Sequence, residues 1–175
     1  MISLKVDVSK CNKCGICQFV CSLGHKLWEQ KDISFEGDLP KPRVWFGQGE
    51  HDELFICRHC ENPVCVTGCV AGAMSIDKET GRVVIDDNKC VGCGSCVMEC
   101  PFGAVWMLLR NSESIHYKAF KCDGCQKIGI PLCARFCPNG AITAEETDKK
   151  LTKLRRRQRI IMMKGEHHEK IRNYR

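Results

Sequence analysis

Short apolar segments alternate with polar turns through the first 145 residues of the chain. Two of them, residues 73–77 and 82–86, flank a four-residue turn that ends in Gly81. This pattern predicts a β-hairpin, because Gly81 can adopt the positive φ that a tight turn requires. Further short strands are predicted at residues 4–8, 103–108 and 140–143. The expected fold class is α+β, with short β-hairpins, small helices and long irregular loops.

Two stretches of the chain depart from this pattern. Residues 22–56 mix prolines, glycines and aromatic residues without a clear period, and they are expected to form a connecting loop. Residues 146–175 contain no proline and one glycine and are rich in lysine and arginine. That composition predicts a basic helical tail, ordered by contact with a partner or with the body of the protein.

Cysteine dominates the composition, with 16 cysteines against only 7% aromatic residues. The cysteines form four runs of four. The first and third runs are spaced C-x2-C-x2-C-x3-C, the second C-x2-C-x4-C-x3-C and the fourth C-x2-C-x7-C-x3-C. In chain order the runs are Cys11, Cys14, Cys17 and Cys21; Cys57, Cys60, Cys65 and Cys69; Cys90, Cys93, Cys96 and Cys100; and Cys122, Cys125, Cys133 and Cys137.

The compact spacing favours iron–sulfur chemistry. Gaps of two residues let the backbone wrap around one cubic iron–sulfur cluster, so that three thiolates reach three of its iron atoms. The run C-x2-C-x2-C-x3-C-P is the bacterial ferredoxin signature. Structural zinc uses two cysteine pairs separated by a longer loop, and disulfide frameworks belong to secreted chains. The first residues show no leader sequence, so a cytoplasmic location with reduced thiols is expected. Because all sixteen positions are cysteine, four cubane [4Fe–4S] clusters are expected.

Charge and motifs limit the remaining function classes. Residues 1–144 hold 16 basic and 16 acidic side chains, so the net charge of +6 lies in the tail. A zinc-binding scaffold or nucleic-acid-binding protein is the alternative of a different class, but a helix that binds a protein partner explains the same charge. No stretch has the length of a membrane helix. No nucleophile–base pair or phosphate loop is present, so the chain is not expected to be an enzyme.

The second and third runs carry a family resemblance. Residues 57–65 and 86–96 resemble the corresponding runs of four-cluster polyferredoxins, which are iron–sulfur subunits of molybdopterin oxidoreductases such as dimethyl sulfoxide reductase and formate dehydrogenase. The family includes the electron-transfer partner of nickel–iron carbon monoxide dehydrogenase. The resemblance covers about residues 1–145 and implies two nested ferredoxin-like modules. One module would comprise residues 1–21 with 102–145, and the other residues 57–101.

In that family the fourth cysteine of each run ligates the cluster of a paired run, which implies four crossed ligand sets for this chain. Set I would be Cys11, Cys14, Cys17 and Cys137; set II would be Cys21, Cys122, Cys125 and Cys133; set III would be Cys57, Cys60, Cys65 and Cys100; and set IV would be Cys69, Cys90, Cys93 and Cys96.

The resemblance also implies a function and partners. The chain would relay electrons between a catalytic oxidoreductase and a second redox protein. Residues 69–74, Cys-Val-Ala-Gly-Ala-Met, depart from the usual Cys-Pro-x-Gly-Ala and are similar to partners of carbon monoxide dehydrogenase, which is the favoured partner. Formate dehydrogenase, hydrogenase and tungsten aldehyde oxidoreductase are the alternatives. Self-assembly or a large hetero-oligomer is also compatible with the sequence.

Overall fold

The structure, a computed structural model, describes residues 2–30, 38–47, 54–109 and 116–146. The predicted helical tail falls outside these ranges, apart from Glu146 at the end of a strand. None of the helices in the described ranges is long and apolar enough to cross a bilayer. In chain order the elements are β1 (Ile2–Val6), a 3₁₀ turn (Val8–Lys10), α1 (Ile16–His25), a π-helical turn (Lys26–Gln30), β2 (Val44–Phe46), β3 (Leu54–Ile56), α2 (Val64–Thr67), β4 (Met74–Ile76), β5 (Val83–Ile85), α3 (Ser95–Glu99), β6 (Val105–Leu109), β7 (Tyr117–Lys121), α4 (Leu132–Arg135) and β8 (Ile142–Glu146).

The strands form four two-stranded sheets, in the pairs β1–β8, β2–β3, β4–β5 and β6–β7. The predicted hairpin is confirmed: β4 and β5 are antiparallel, with Met74 opposite Ile85. Strands predicted near residues 4–8, 103–108 and 140–143 are present as β1, β6 and β8. The β7 strand was not predicted, and it pairs antiparallel with β6 so that Val105 lies opposite Lys121. Small helices and short antiparallel pairs confirm the α+β class.

The segment expected as a connecting loop contains regular structure. Helix α1 continues to His25, and β2 pairs antiparallel with β3 so that Val44 lies opposite Ile56. Val44 and Ile56 are each 1% exposed, so this pair of strands contributes two of the most deeply buried side chains. Each strand has only three residues, which is too short for alternation to identify it among prolines and tryptophans. Trp45 packs edge to face on Trp106 with ring centroids 5.7 Å apart.

The core is small and much of it is cysteine. One buried cluster joins Leu4, Val44, Leu54, Ile56 and Ile142 with five cysteine side chains. A second joins Met74, Val83 and Val105 with Cys90 and Cys96. The largest side chains that are fully buried are two isoleucines and two valines. A core with so little apolar volume needs metal or covalent links to be stable, so we expect folding to depend on what the thiols bind.

Close packing leaves no room for a side chain at two glycines. Helices α1 and α4 approach at Gly24, where a Cβ atom would lie 2.3 Å from Leu132 Cδ1. Gly92 has a φ of 76°, and a Cβ atom there would lie 2.4 Å from the carbonyl oxygen of Tyr117, which begins β7. Gly94 has nearly the same φ, 78°, but a Cβ atom on it would meet no atom within 4 Å. The two glycines of the third run therefore differ in crowding and not in backbone conformation.

We expect Gly92→Ala to destabilise the protein more than Gly94→Ala. Both substitutions place a side chain at positive φ, which costs about 1 kcal/mol. Only Gly92→Ala also forces Cβ against the Tyr117 backbone, which adds roughly 1–3 kcal/mol. Thermal unfolding of the anaerobically purified variants, at one scan rate, should rank the midpoints as wild type, then Gly94→Ala, then Gly92→Ala. Equal midpoints for the two variants would contradict the close approach of β7 to Gly92.

Candidate metal centres

The structure brings the four thiols of set I together around one cavity, lined by Cys11, Cys14, Cys17 and Cys137. Three of them come from the first run, whose helix α1 begins after Gly15 at a φ of 77°. Burial raises the pKa of the Cys17 thiol to about 11, and repulsion from the other three thiolates adds to the effect, against a hydrogen bond from a backbone N–H. Cys137 joins them from the far end of the described chain.

Set IV forms a second cavity of the same kind, lined by Cys69, Cys90, Cys93 and Cys96. Burial raises the pKa of the Cys96 thiol, followed by repulsion from Cys90, Cys69 and Cys93. Cys69 belongs to the second run and the other three to the third. As in set I, the fourth thiol comes from another part of the sequence.

The thiols of sets II and III also lie together. In set II, burial raises the pKa of the Cys133 thiol well above its usual range, and Cys125 and Cys21 raise it further. In set III, burial raises the pKa of the Cys65 thiol to about 11, with Cys57, Cys100 and Cys60 among its neighbours. All four groups therefore combine three thiols of one run with one thiol of another.

Interactions between thiols show which sets are neighbours. Cys17 of set I lies near enough to Cys133 of set II to repel its thiolate, and Cys57 of set III does the same to Cys122 of set II. Cysteines of sets III and IV share the second core cluster. All four cysteines of set II are buried, whereas Cys14 in set I and Cys93 in set IV are exposed. These neighbours favour the order I, II, III, IV, with an exposed thiol in each of the two terminal sets.

In the part of the chain that the structure describes, backbone N–H groups donate to several cysteine sulfurs, and the sequence did not identify which groups these are. Examples are Gly124 to Cys122 at 3.2 Å, Arg43 to Cys21 at 3.3 Å, Met74 to Cys69 at 3.4 Å, Ala119 to Cys90 at 3.4 Å and Ala104 to Cys100 at 3.5 Å. Arg43 and Ala119 are far from their acceptors in sequence, so only the tertiary fold brings them there. Such donors stabilise negative charge on ligating sulfur.

Charged side chains are buried beside the inner sets. Asp123 lies 2.9 Å from Arg43 Nη1 and 3.6 Å from His25 Nε2. Burial alone would raise the pKa of Asp123, but Arg43 and His25 hold it below its usual range. His59 accepts a hydrogen bond from Val83 N–H at 3.2 Å, and burial, followed by Lys121 and Arg82, lowers its pKa to about 3. His59 is therefore a neutral acceptor at physiological pH.

The donor sets fit iron–sulfur cubanes. Each cubane takes four thiolates, and each set offers four thiols. Backbone N–H groups donate to sulfurs in all four sets. All sixteen cysteines are free of disulfide bonds. In the described ranges no group of three or more His, Cys, Asp or Glu side chains is placed to hold a single metal ion. A cubane presents its iron atoms at separate corners, so its ligands do not converge on one point.

Comparison with known proteins gives the same chemistry. A family profile described as 4Fe-4S dicluster domain matches residues 54–148. The chain is 31% identical to electron transport protein HydN of Escherichia coli strain K12, over 89% of this chain and 95% of HydN. It is 33% identical to YnfG of the same strain, a probable anaerobic dimethyl sulfoxide reductase subunit, over 78% of this chain and 69% of YnfG.

A third relative is much longer than this chain. Putative oxidoreductase UacF of Escherichia coli strain K12 is 31% identical over 79% of this chain, but the match spans only 20% of UacF. The chain thus corresponds to a small part of that longer protein. The chain belongs to the 4Fe-4S dicluster domain family of iron–sulfur electron-transfer proteins, and its cofactors are [4Fe–4S] clusters.

Proposed function

We propose that this chain relays single electrons through four [4Fe–4S] clusters, one in each of sets I to IV, between a catalytic oxidoreductase and a second redox protein. The observation that supports the proposal is that thiols of different runs lie close together in groups, with set II next to sets I and III and set III next to set IV. A bound cubane supplies a one-electron couple. The chain itself is an electron-transfer subunit and not the catalytic one.

Thiolates, backbone N–H groups and burial would each have a different role in such a relay. Thiolates hold the metal, and backbone N–H groups such as those of Gly124 and Ala119 offset the negative charge on sulfur. Burial of set II excludes water from the middle of the row. Exposed Cys14 and Cys93 bring the terminal sets to the surface, where electrons can enter from one partner and leave to another.

We propose that the fold consists of two nested ferredoxin-like halves. Residues 1–21 with 102–145 would hold sets I and II, and residues 57–101 would hold sets III and IV. The pairing of β1 with β8 and the packing of α1 on α4 join the two ends of the described chain. Helices α2 and α3 pack on each other within the inner half.

We propose carbon monoxide dehydrogenase as the catalytic partner, on the basis of the Cys69–Met74 segment. Val70 stands where the usual pattern has a proline after the last cysteine, and it is 81% exposed beside set IV. Formate dehydrogenase, hydrogenase and tungsten aldehyde oxidoreductase use comparable carriers. Sixteen free thiols favour a reducing compartment, so we propose a cytoplasmic location.

Reduction by the favoured enzyme tests this function. The anaerobically purified chain, mixed with a catalytic amount of nickel–iron carbon monoxide dehydrogenase under carbon monoxide, should lose visible absorbance, as it does with dithionite. Formate dehydrogenase with formate is the matched control and should reduce it more slowly. If dithionite bleaches the protein but carbon monoxide dehydrogenase does not, carbon monoxide dehydrogenase is not the partner. A colourless protein that dithionite does not change would contradict electron transfer itself.

Paired cysteine substitutions test the crossed ligand sets. Cys21→Ser with Cys133→Ser removes two thiols from set II, so the double variant should lose one cluster and keep about twelve of about sixteen irons. Cys21→Ser with Cys17→Ser removes thiols from two sets although the residues are neighbours on α1. This double variant should keep about eight irons. Iron analysis of anaerobic samples separates the two, and the reverse order would contradict the crossing.

A further inference from the structure

Three lysines occupy the same position in the sequence repeat. Lys10, Lys89 and Lys121 each come directly before the first cysteine of a run. Two of them have an aspartate three residues earlier and pair with it on the surface. Lys10 Nζ lies 3.3 Å from Asp7, and Lys89 Nζ lies 3.4 Å from Asp86, with side-chain exposures of 59% and 63% for the two lysines. Solvent screens these two charges from the nearby thiols.

Lys121 is different because the residue three positions earlier is Lys118 and not an aspartate. It ends strand β7 and turns inward, so that only 3% of its surface is exposed. Its Nζ donates hydrogen bonds to the carbonyl oxygens of Val83 and Cys122, the latter at 2.8 Å. Both acceptors are neutral. Within the described ranges, the buried lysine therefore donates to carbonyl oxygens and forms no ion pair with a carboxylate.

A second cation lies in the same region. Arg82 is 4% exposed, and a Cβ atom on Gly124 would lie 2.9 Å from its Cδ and Nε atoms and 3.1 Å from His59 Nε2. Lys121 and Arg82 both lie near enough to His59 to interact with it, so the two cations neighbour one histidine. Burying positive charge costs free energy unless negative charge compensates it.

The negative charges in this region are the inner thiolates and the Asp123 carboxylate, which lies 2.9 Å from Arg43 Nη1. Lys121 adjoins Cys122 of set II in sequence and hydrogen bonds to its carbonyl. It also lies near enough to Cys65 of set III to interact with that thiol. A cubane with four thiolates carries a net charge of about 2− when oxidised and about 3− when reduced. A fixed cation at this place stabilises the reduced state more than the oxidised state.

We propose that Lys121 is a buried counter-charge that raises the reduction potential of an inner cluster, held by set II or set III. The proposal rests on the proposed function, because it requires clusters in those sets. The step is the gain of one electron from a redox partner protein. No bond forms or breaks, and no proton transfer is part of the step. Lys121 touches no substrate and acts only through its charge on the neighbouring cluster.

A redox titration followed by electron paramagnetic resonance tests the role of Lys121. Lys121→Met removes the charge and keeps most of the side-chain volume. It should lower one of the four midpoint potentials by at least about 59 mV, which corresponds to a tenfold change in the equilibrium constant of a one-electron reduction. Lys89→Met removes the same charge at the matched position of the third run and should move no midpoint comparably. Unchanged midpoints in an iron-replete Lys121→Met protein would overturn the proposal.

Two more variants cover loss of folding. Lys121→Gln keeps donors for the Val83 and Cys122 carbonyl oxygens, and it should lower the same midpoint as Lys121→Met. If both neutral variants fail to load clusters, loading by Lys121→Arg would support the need for a charge, whereas failure of that variant too would assign Lys121 to packing and overturn the proposal. The iron content of the wild type is measured first. A wild type without clusters would refute the proposed function. The comparison of variants tests only the role of Lys121, so the two failures are distinguishable.

Discussion

The structure depends on thiols buried in its core, because the apolar side chains alone fill too little space. Cysteines make up a large part of both core clusters, and burial raises the pKa of several of them, including Cys17 and Cys122. Without metal, these thiols stay protonated and contribute only as small apolar groups. Metal binding deprotonates them and joins distant segments of the chain. We therefore expect folding and cofactor loading to be coupled in this protein.

The proposed crossing of the ligand sets would also set their order. The distant cysteines Cys137, Cys21, Cys100 and Cys69 each join thiols of another run. Neighbouring sets come into contact as a consequence, and the most buried set lies inside the row. In the proposed relay, the inner clusters would be insulated from water and flanked by Arg43, Arg82 and Lys121, and the terminal clusters would reach the surface. A difference in potential between inner and terminal clusters would follow from this placement.

The chemistry was predictable from the sequence because most of each set is local. Three of the four thiols in every set lie within twelve residues of one another, and their spacing alone indicates cubanes. The fourth thiol required the family resemblance, since spacing does not say which runs meet. The hairpin at β4–β5 was predictable from alternation around Gly81. The β2–β3 pair was not, because strands of three residues carry too little pattern. The burial of Lys121 and the donors to sulfur depend on tertiary neighbours that no local pattern encodes.

Iron and acid-labile sulfide analysis of the protein purified without oxygen tests the central claim most directly. The account predicts about sixteen irons and about sixteen sulfides per chain, with no stoichiometric zinc. It also predicts that Mössbauer spectra of iron-57-labelled protein show all of the iron in [4Fe–4S] clusters. About four zinc ions per chain with no sulfide would contradict it.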